Sequence, residues 1–171
     1  MVEVLLLCGS VRKGSSNEAM LRLVEDVAGA TYSTVFYEGL GGLPHFNPDL
    51  DADPLPEPVA ALRAAIAHAD ALLVCTPEYA GTLPGSFKNL LDWTVGGTEI
   101  GEKPTGWINA ANPGRGEGAV ATLRTVLEYT GAAIVEEACV RIGLADADAR
   151  ARVSAVLGAL GNAASQAPAV R

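Results

Sequence analysis

Residues 2–17 read VEVLLLCGSVRKGSSN, an apolar run followed at once by a loop of glycine and short polar residues. The run over residues 2–8 is apolar at nearly every position, which is typical of a strand covered on both faces of its sheet. The loop leads directly into a segment with helical periodicity over residues 17–27. A buried strand, a polar loop and a helix in this order indicate the first unit of an α/β fold.

The same alternation continues along the chain. Apolar runs rich in β-branched residues predict strands, and runs with a period of 3.6 residues predict helices. The predicted strands span residues 2–8, 32–37, 71–76, 105–110 and 133–142, and the predicted helices span residues 17–27, 59–69, 86–95, 118–129 and 147–160. Strict alternation means parallel strands joined by right-handed crossovers, with helices on both faces of one sheet. We therefore expect a single domain over residues 1–171.

Composition limits the classes of binding partner and the cellular location that we expect. No apolar run is long enough to span a membrane, and a net charge of -8 argues against nucleic acid as a partner. Residues 1–3 lack the basic start of a signal peptide, so we expect a cytoplasmic protein. Cys8, Cys75 and Cys139 show neither C-x-x-C nor metal-ligand spacing, which favours buried, reduced thiols.

Two segments break the regular pattern. Residues 39–58 are rich in glycine and proline and predict a long irregular loop, a kind of segment that is often functional. Asp49, Asp51 and Asp53 lie close together there, but they lack the spacing of a calcium loop, which favours a solvated acidic loop over a metal site. Residues 162–171 are mostly small, and we expect this end of the chain to fray.

The loop after the first strand suits a phosphate group. Gly9 and Gly14 allow backbone conformations that turn N–H groups inward, and Arg12 supplies charged donors. The helix that follows adds positive potential at its N-terminus. The short polar side chains of the loop are Ser10, Ser15, Ser16 and Asn17. An ordinary helix-capping loop would use the same residue types, so the loop alone leaves both interpretations open.

The loop after the third strand decides between them. Residues 76–93 read TPEYAGTLPGSFKNLLDW. Together the two loops resemble the NADPH-dependent FMN reductase family, whose members carry G-S-x-R-x-x-S-x-N after the first strand and P-E-Y-N-x-x-x-P-G-x-x-K-N-x-x-D-W after the third. Supporting matches lie at residues 43–44, 47–49, 69–71, 111–115 and 123–129, so the resemblance covers about residues 2–141.

The resemblance implies a flavodoxin-like fold, a three-layer α/β sandwich around a five-stranded parallel sheet of order 2-1-3-4-5. It implies FMN as the bound cofactor, NAD(P)H as the electron donor, and a small-molecule acceptor such as a quinone, a flavin, an azo compound or a metal oxyanion. It also implies a homodimer or homotetramer. The apolar residues between Leu83 and Trp93 would either fill the core or form part of a subunit contact.

Site residues follow from the resemblance position by position. The residues implied to hold the FMN phosphate are Ser10, Arg12, Ser15, Ser16 and Asn17. Those implied to form a wall against the isoalloxazine ring are Pro77, Glu78, Tyr79, Ala80 and Gly81. Those expected to close over the other side of the ring are Asn112, Gly114 and Arg115. Arg115 is also a candidate partner for the phosphates of the nicotinamide cofactor, and Ala80 replaces the family's usual Asn.

The favoured function is an FMN-dependent oxidoreductase that transfers hydride from NAD(P)H to FMN and then passes electrons to a diffusible acceptor. No catalytic side chain is expected, because the cofactor carries the chemistry. His45 and His68 agree with this, since neither lies near a Ser or Cys partner in the sequence. Two alternatives stay open: an FMN-binding electron carrier, and a flavodoxin-fold protein that has lost its cofactor.

Overall fold

The computed structural model describes residues 1–167, which alternate between strand and helix as the sequence predicts. The strands are β1 (Glu3–Cys8), β2 (Ser33–Phe36), β3 (Ala71–Cys75), β4 (Pro104–Asn109) and β5 (Ala133–Arg141). The helices are α1 (Ser16–Ala28), α2 (Glu57–His68), α3 (Gly85–Asp92), α4 (Glu117–Thr130) and α5 (Ala149–Gln166). The bounds of the strands and of α1 and α4 differ from the predicted ones by at most one residue at each end, whereas α2, α3 and α5 each have an end that differs by two to six residues.

All five strands are parallel, and the sheet order is β2-β1-β3-β4-β5, which confirms the predicted topology. The chain leaves β1 toward one edge of the sheet and later returns to β3 on the other side of β1. This reversal places three loops together at the carboxyl ends of the strands. We name them the β1 loop (residues 9–15), the β3 loop (residues 76–84) and the β4 loop (residues 110–116).

Alternating side chains of the central strands build two cores. Leu5 and Leu7 of β1 pack with the buried residues of α2, α3 and α4, while Val4 and Leu6 pack with those of α1 and α5. All four are at most 1% exposed. Successive side chains of a strand point to opposite faces, so a continuous apolar run fills both cores at once. The helices therefore form a layer on each face, as predicted.

The end of α5 differs from its prediction. We expected fraying from residue 162, but α5 continues to Gln166. Gly161 in its last buried turn packs closely on Tyr32: a Cβ added at Gly161 would lie only 2.8 Å from the Tyr32 ring. Residues 168–171 lie outside the described residues, and the rest of that prediction with them. Within residues 1–167, neither α5 nor any other helix is long and apolar enough to cross a bilayer.

The segment after β2, residues 37–56, is the predicted irregular loop, and we name it the β2 loop. It contains two short 3₁₀ turns, Leu40–Gly42 and Pro48–Leu50. The expectation of a solvated acidic loop is wrong for Asp51, because its carboxylate accepts a hydrogen bond from buried Arg63 at 2.7 Å. The side chains of this pair are only 10% and 12% exposed.

The large apolar residues between Leu83 and Trp93 lie inside the core. Leu83, Phe87, Leu90, Leu91 and Trp93 are each at most 4% exposed. The core-packing alternative is therefore correct for these side chains, and their use in a subunit contact is wrong. The homodimer or homotetramer stays a prediction.

The three cysteines are free, as expected. Cys8 and Cys75 are buried, whereas Cys139 is only half-buried, so the expectation of burial holds for two of the three. Burial raises the pKa of each thiol, to about 11 for Cys139. Since a raised pKa keeps a thiol neutral near pH 7, these cysteines lack the thiolate character of reactive ones.

Candidate functional site

The first turn of α1 and the β3 and β4 loops enclose a cleft of about 360 Å³ at the carboxyl edge of the sheet. We name it the central cleft. It is lined by Ser16, Asn17, Pro77, Glu78, Ala111, Arg115 and Gly116. All three loops that the sequence predicted for the site contribute to it. The structure thus brings together some of the residues that were predicted to bind the phosphate and some residues from each of the two predicted ring walls.

The start of α1 supplies unused hydrogen-bond donors to this cleft. Ser15 caps the helix, because its Oγ accepts a hydrogen bond from the Glu18 backbone N–H at 3.1 Å. The backbone N–H groups of Ser16 and Asn17, at the first two helical positions, meet no acceptor within residues 1–167. Unpaired N–H groups and the helix dipole together make such a terminus suited to an anion.

The β1 loop is fixed to the end of β3. The Gly9 N–H donates to the Cys75 carbonyl oxygen at 2.9 Å, and the Cys75 thiol donates to the Asn17 amide oxygen at 3.4 Å. A Cβ at Gly9 would lie 2.1 Å from Thr76 Oγ1, so this position requires glycine. These contacts hold the first turn of α1 beside the β3 loop.

Two of the predicted phosphate residues lie elsewhere. Ser10 and Arg12 line a separate cleft of about 440 Å³ toward β2, which we name the β2-side cleft. Ser10 Oγ accepts a hydrogen bond from the Arg12 backbone N–H at 3.2 Å. An acidic side chain also enters this region, since Glu18 Oε2 accepts a hydrogen bond from the Gly14 N–H at 2.7 Å. Composition alone did not indicate that the polar residues between Ser10 and Asn17 would be divided between two clefts.

The β3 loop contains a tight turn at its tip. Tyr79 and Thr82 exchange two backbone hydrogen bonds, at 3.0 and 3.1 Å. The residues between them have positive φ, 50° for Ala80 and 77° for Gly81. Two central residues with positive φ are typical of a type I′ turn, which favours Asn-Gly. The replacement of the family's Asn by Ala80 therefore places an alanine in a conformation that it adopts poorly.

The remaining residues of that predicted wall are placed differently from one another. Tyr79, Ala80 and Gly81 are exposed and do not line the central cleft, whereas Pro77 and Glu78 do. The Glu78 carboxylate caps α4, accepting hydrogen bonds from the N–H groups of Gly118 at 2.7 Å and Ala119 at 3.1 Å. Sequence analysis assigned Glu78 to the ring wall and missed this cap.

The β4 loop is organised by Asn109, which sequence analysis also missed. Its amide is buried and bridges the loop: Oδ1 accepts from the Ala111 N–H at 3.0 Å, and Nδ2 donates to the Arg115 carbonyl oxygen at 3.3 Å. Gly116 has φ 83°, and a Cβ there would lie 2.6 Å from Asn109 Oδ1. An Asn at the end of a strand was the only signal available.

Arg141, at the end of β5, is the second missed residue. Its Nη1 donates to the carbonyl oxygens of Ala111 at 2.6 Å and Asn112 at 3.0 Å. Its Nη2 donates to the Arg115 carbonyl oxygen at 2.8 Å and to Glu117 Oε1 at 2.7 Å. Nothing in the sequence near position 141 indicated this role.

The structure places the predicted site residues of the β4 loop in different clefts. The exposed Arg115 lines the central cleft, as the prediction requires for a ring or nicotinamide contact. Asn112 instead lines a neighbouring cleft of about 520 Å³ on the β5 side, together with Arg141 and Arg152. Gly114 is exposed, with φ 78°.

Comparison with known proteins gives a consistent result. The family model of the NADPH-dependent FMN reductases matches residues 2–147. A 2-hydroxy-1,4-benzoquinone reductase from Burkholderia sp is 38% identical over 92 residues, which cover 54% of this chain and 49% of that protein. An NAD(P)H:quinone oxidoreductase from Solanum tuberosum is 35% identical over 96 residues, which cover 54% and 50%. The chain thus spans about half the length of the curated relatives it matches.

Solved structures extend the similarity over the whole fold. The flavoenzyme NAD(P)H:(acceptor) oxidoreductase FerB from Paracoccus denitrificans superposes with a TM-score of 0.79 at 26% identity, covering 98% of this chain and 100% of that one. An azoreductase from Bacillus anthracis, with a TM-score of 0.60 at 16% identity, shares the fold. The predicted oxidoreductase family and its cofactors, FMN and NAD(P)H, are confirmed at the level of the family. The chain belongs to the NADPH-dependent FMN reductase family.

Proposed function

We propose that the chain binds FMN at the central cleft and uses it to pass electrons from NAD(P)H to a small-molecule acceptor of the quinone class. The observation that carries this proposal is the pair of unpaired N–H groups of Ser16 and Asn17 beside a cleft at the reversal point of the sheet. Ligands of open α/β sheets bind at this point, and phosphates bind at such helix termini.

The residues present fit an FMN phosphate. Two backbone N–H groups and the Ser16 hydroxyl supply neutral donors, and the dipole of α1, a helix of 13 residues, favours a negative charge at this end. Arg12 lies on the β1 loop, which leads into this turn, and lines the β2-side cleft; its exposed side chain would have to extend from there to pair with the phosphate. These donors suffice for an anion although the chain carries a net charge of -8.

The ring system would lie between the β3 and β4 loops. Pro77 presents an apolar surface on one side, and Ala111 and Gly116 leave space on the other because their side chains are small or absent. Arg115 is at the mouth of the cleft and exposed, where it would meet the phosphates of the nicotinamide cofactor. The chain's contribution is to hold and orient the two ring systems, which is the main requirement of hydride transfer between cofactors.

When bound, FMN would accept a hydride from the reduced nicotinamide and pass the electrons to the acceptor. Among the side chains that line the central cleft, Glu78 is the only carboxylate, and its Oε2 already accepts two backbone hydrogen bonds from α4. It is therefore held as a structural cap and is poorly placed to exchange protons. We infer that no side chain of the cleft acts as an acid or base.

A quinone acceptor is favoured by the curated relatives, which reduce quinones according to their names. Tyr79, 55% exposed at the tip of the β3 loop, would offer an aromatic surface to a planar acceptor near the cleft. An FMN-binding electron carrier would differ from the proposed enzyme in one respect only, because NAD(P)H would not reduce its bound flavin. The cofactor-free alternative differs in whether flavin binds at all.

Spectroscopy separates the three functions. Protein reconstituted with FMN should absorb near 450 nm, roughly the position expected of an oxidised flavin, and should bleach when NADPH or NADH is added without oxygen. Addition of 1,4-benzoquinone should then restore the absorption. A colourless protein would support the cofactor-free alternative, and colour without bleaching would support the carrier.

A pair of variants tests the proposed phosphate site directly. Proline is well accepted at the first helical position, and Ser15 already has the extended backbone (φ -71°, ψ 155°) that precedes a proline. Ser16→Pro therefore removes the N–H and the hydroxyl but keeps the helix, whereas Ser16→Ala removes only the hydroxyl. We expect Ser16→Pro to weaken FMN binding by about tenfold more than Ser16→Ala, because it removes a hydrogen bond to a charged group. Equal affinities would place the phosphate elsewhere.

A further inference from the structure

We propose that Arg141 is a positioning residue, which sets the shape of the central cleft from behind the β4 loop without lining the cleft itself. The inference rests on the proposed function, since the cleft that it shapes is the proposed flavin site. Neither the family motifs nor the sequence pattern pointed to this residue.

The contacts of Arg141 converge on one short segment. Its two terminal nitrogens reach the carbonyl oxygens of Ala111, Asn112 and Arg115 and the carboxylate of Glu117, over distances of 2.6 to 3.0 Å. Within residues 1–167, no other cationic side chain donates a hydrogen bond to the β4 loop. A single guanidinium thus joins the beginning and the end of this loop to the first residue of α4.

The β4 loop has few other means of staying in place. Asn112, Pro113, Gly114 and Arg115 are all exposed, so the loop has little apolar surface with which to pack against the core. Gly114 and Gly116 add backbone freedom that the folded conformation must restrict. Asn109 holds Ala111 and Arg115, and the Arg115 N–H donates to the Asn112 carbonyl oxygen at 3.1 Å within the loop. Arg141 is the contact that ties this turn to Glu117.

The choice of arginine follows from this geometry. A guanidinium carries five donors in a rigid planar fork, which a lysine cannot reproduce. By engaging three carbonyl oxygens and one carboxylate, Arg141 holds both ends of the β4 loop in one arrangement.

Arg124 provides a matched control. It also joins α4 to β5, through hydrogen bonds of 2.6 and 2.8 Å to Glu136, and its side chain is 38% exposed against 30% for Arg141. It contacts neither the β4 loop nor the central cleft. Replacing each arginine by methionine removes a comparable guanidinium but affects the cleft in only one variant.

The experiment measures two quantities on the wild type, Arg141→Met and Arg124→Met. The first is the dissociation constant for FMN, by fluorescence titration of the flavin-free protein. The second is amide hydrogen exchange over residues 110–118 of the flavin-free protein, which reports the order of the loop directly. We expect Arg141→Met to bind FMN about tenfold more weakly and to exchange faster over this segment, since four charged hydrogen bonds are lost. Arg124→Met should match the wild type in both.

Unchanged exchange and unchanged affinity in Arg141→Met would overturn the inference, and so would equal losses in both variants. If Arg141→Met does not fold, Arg141→Lys replaces it, with an intermediate loss expected because an ammonium satisfies only part of the fork. Failure of the wild type to bind FMN would overturn the proposed function instead. The exchange measurement needs no flavin, so it still tests whether Arg141 orders the loop.

Discussion

The β2 loop and the β4 loop both leave the carboxyl edge of the sheet as irregular chain, yet they are held in opposite ways. The β2 loop is long and is fixed by buried side chains: Asn89 and Trp93 both donate to the Pro44 carbonyl oxygen, and Arg63 pairs with Asp51. The β4 loop is short; besides the buried Asn109 amide, it is fixed by a partly exposed arginine that pairs with Glu117, a carboxylate that is 61% exposed. The longer loop is thus the more firmly anchored one.

This difference bears on the expectation that a long irregular loop is functional. The start of the β2 loop, residues 37–41, lines part of the β2-side cleft, whereas Phe46 further along packs edge to face on the buried Trp93 at 5.0 Å. The short β4 loop lines the central cleft instead. Binding loops are drawn from the less stable parts of a fold, and the β4 loop fits that rule better.

The largest expected effect concerns the anchor of the β2 loop. Arg63→Met should destabilise the protein by about 3 to 5 kcal/mol, because it leaves the buried Asp51 carboxylate without a partner and also removes two hydrogen bonds to the Trp93 carbonyl oxygen. Urea unfolding measures this. Arg150→Met, which breaks an exposed pair with Asp26, is the control and should cost less than about 1 kcal/mol.

The same variant also tests the division of roles. FMN affinity of folded Arg63→Met should stay within about twofold of the wild type, because Arg63 contacts none of the three cleft loops. A large loss of FMN affinity in the folded variant would mean that the β2 loop contributes to the flavin site after all.

The second prediction concerns Arg12, which is exposed and lines the β2-side cleft. Arg12→Ala should weaken FMN binding by about 2 kcal/mol and leave the free energy of unfolding nearly unchanged, because its side chain is exposed. Titration of the flavin-free protein measures the affinity. Lys13→Ala removes the neighbouring cation of the β2-side cleft and is the control. Equal losses in both variants would indicate a general charge effect rather than a specific phosphate contact.

Much of the fold was predictable because the signals are local. The apolar run of β1 fixes a strand buried on both faces, and regular alternation with helices fixes parallel topology. The central cleft was predictable to the level of its loops, since ligands bind where the strand order reverses. Five of the predicted site residues line this cleft: Ser16, Asn17, Pro77, Glu78 and Arg115. Their contact with a flavin stays a prediction.

The missing parts depend on contacts between distant residues. Arg141 is separated from its carbonyl partners by 26 to 30 positions, and Glu78 from its α4 partners by 40 and 41. Such pairs arise only when the chain is folded, and no spacing rule announces them. The position of Arg12 in a second cleft is likewise a matter of how the β1 loop turns, which its composition leaves open.

The smallest expected effect concerns Ala80. From the family resemblance alone, this residue stands for the loss of an Asn side-chain amide beside the flavin. The positive φ of Ala80 adds a second cause, because Asn and Gly both adopt this conformation more readily than alanine does. Ala80→Gly and Ala80→Asn should each stabilise the protein by about 0.5 to 1 kcal/mol in thermal or urea unfolding. Glu102, with φ 57°, is the other non-glycine residue of positive φ within residues 1–167 and lies outside the cleft loops, so Glu102→Gly should stabilise the protein similarly without any change in FMN affinity.

Affinity then separates the two causes at position 80. If the side-chain amide contacts the flavin, only Ala80→Asn should tighten FMN binding, by about 0.5 to 1.5 kcal/mol, the contribution of one hydrogen bond. If the turn merely needs its backbone conformation, Gly and Asn should tighten it equally, because both reduce the cost of ordering the β3 loop. Weaker binding in Ala80→Asn alone would mean that the pocket is overpacked by the larger residue. Residue-by-residue transfer from the family would then fail at this loop, and the proposed placement of Pro77 against the ring would have to be withdrawn with it.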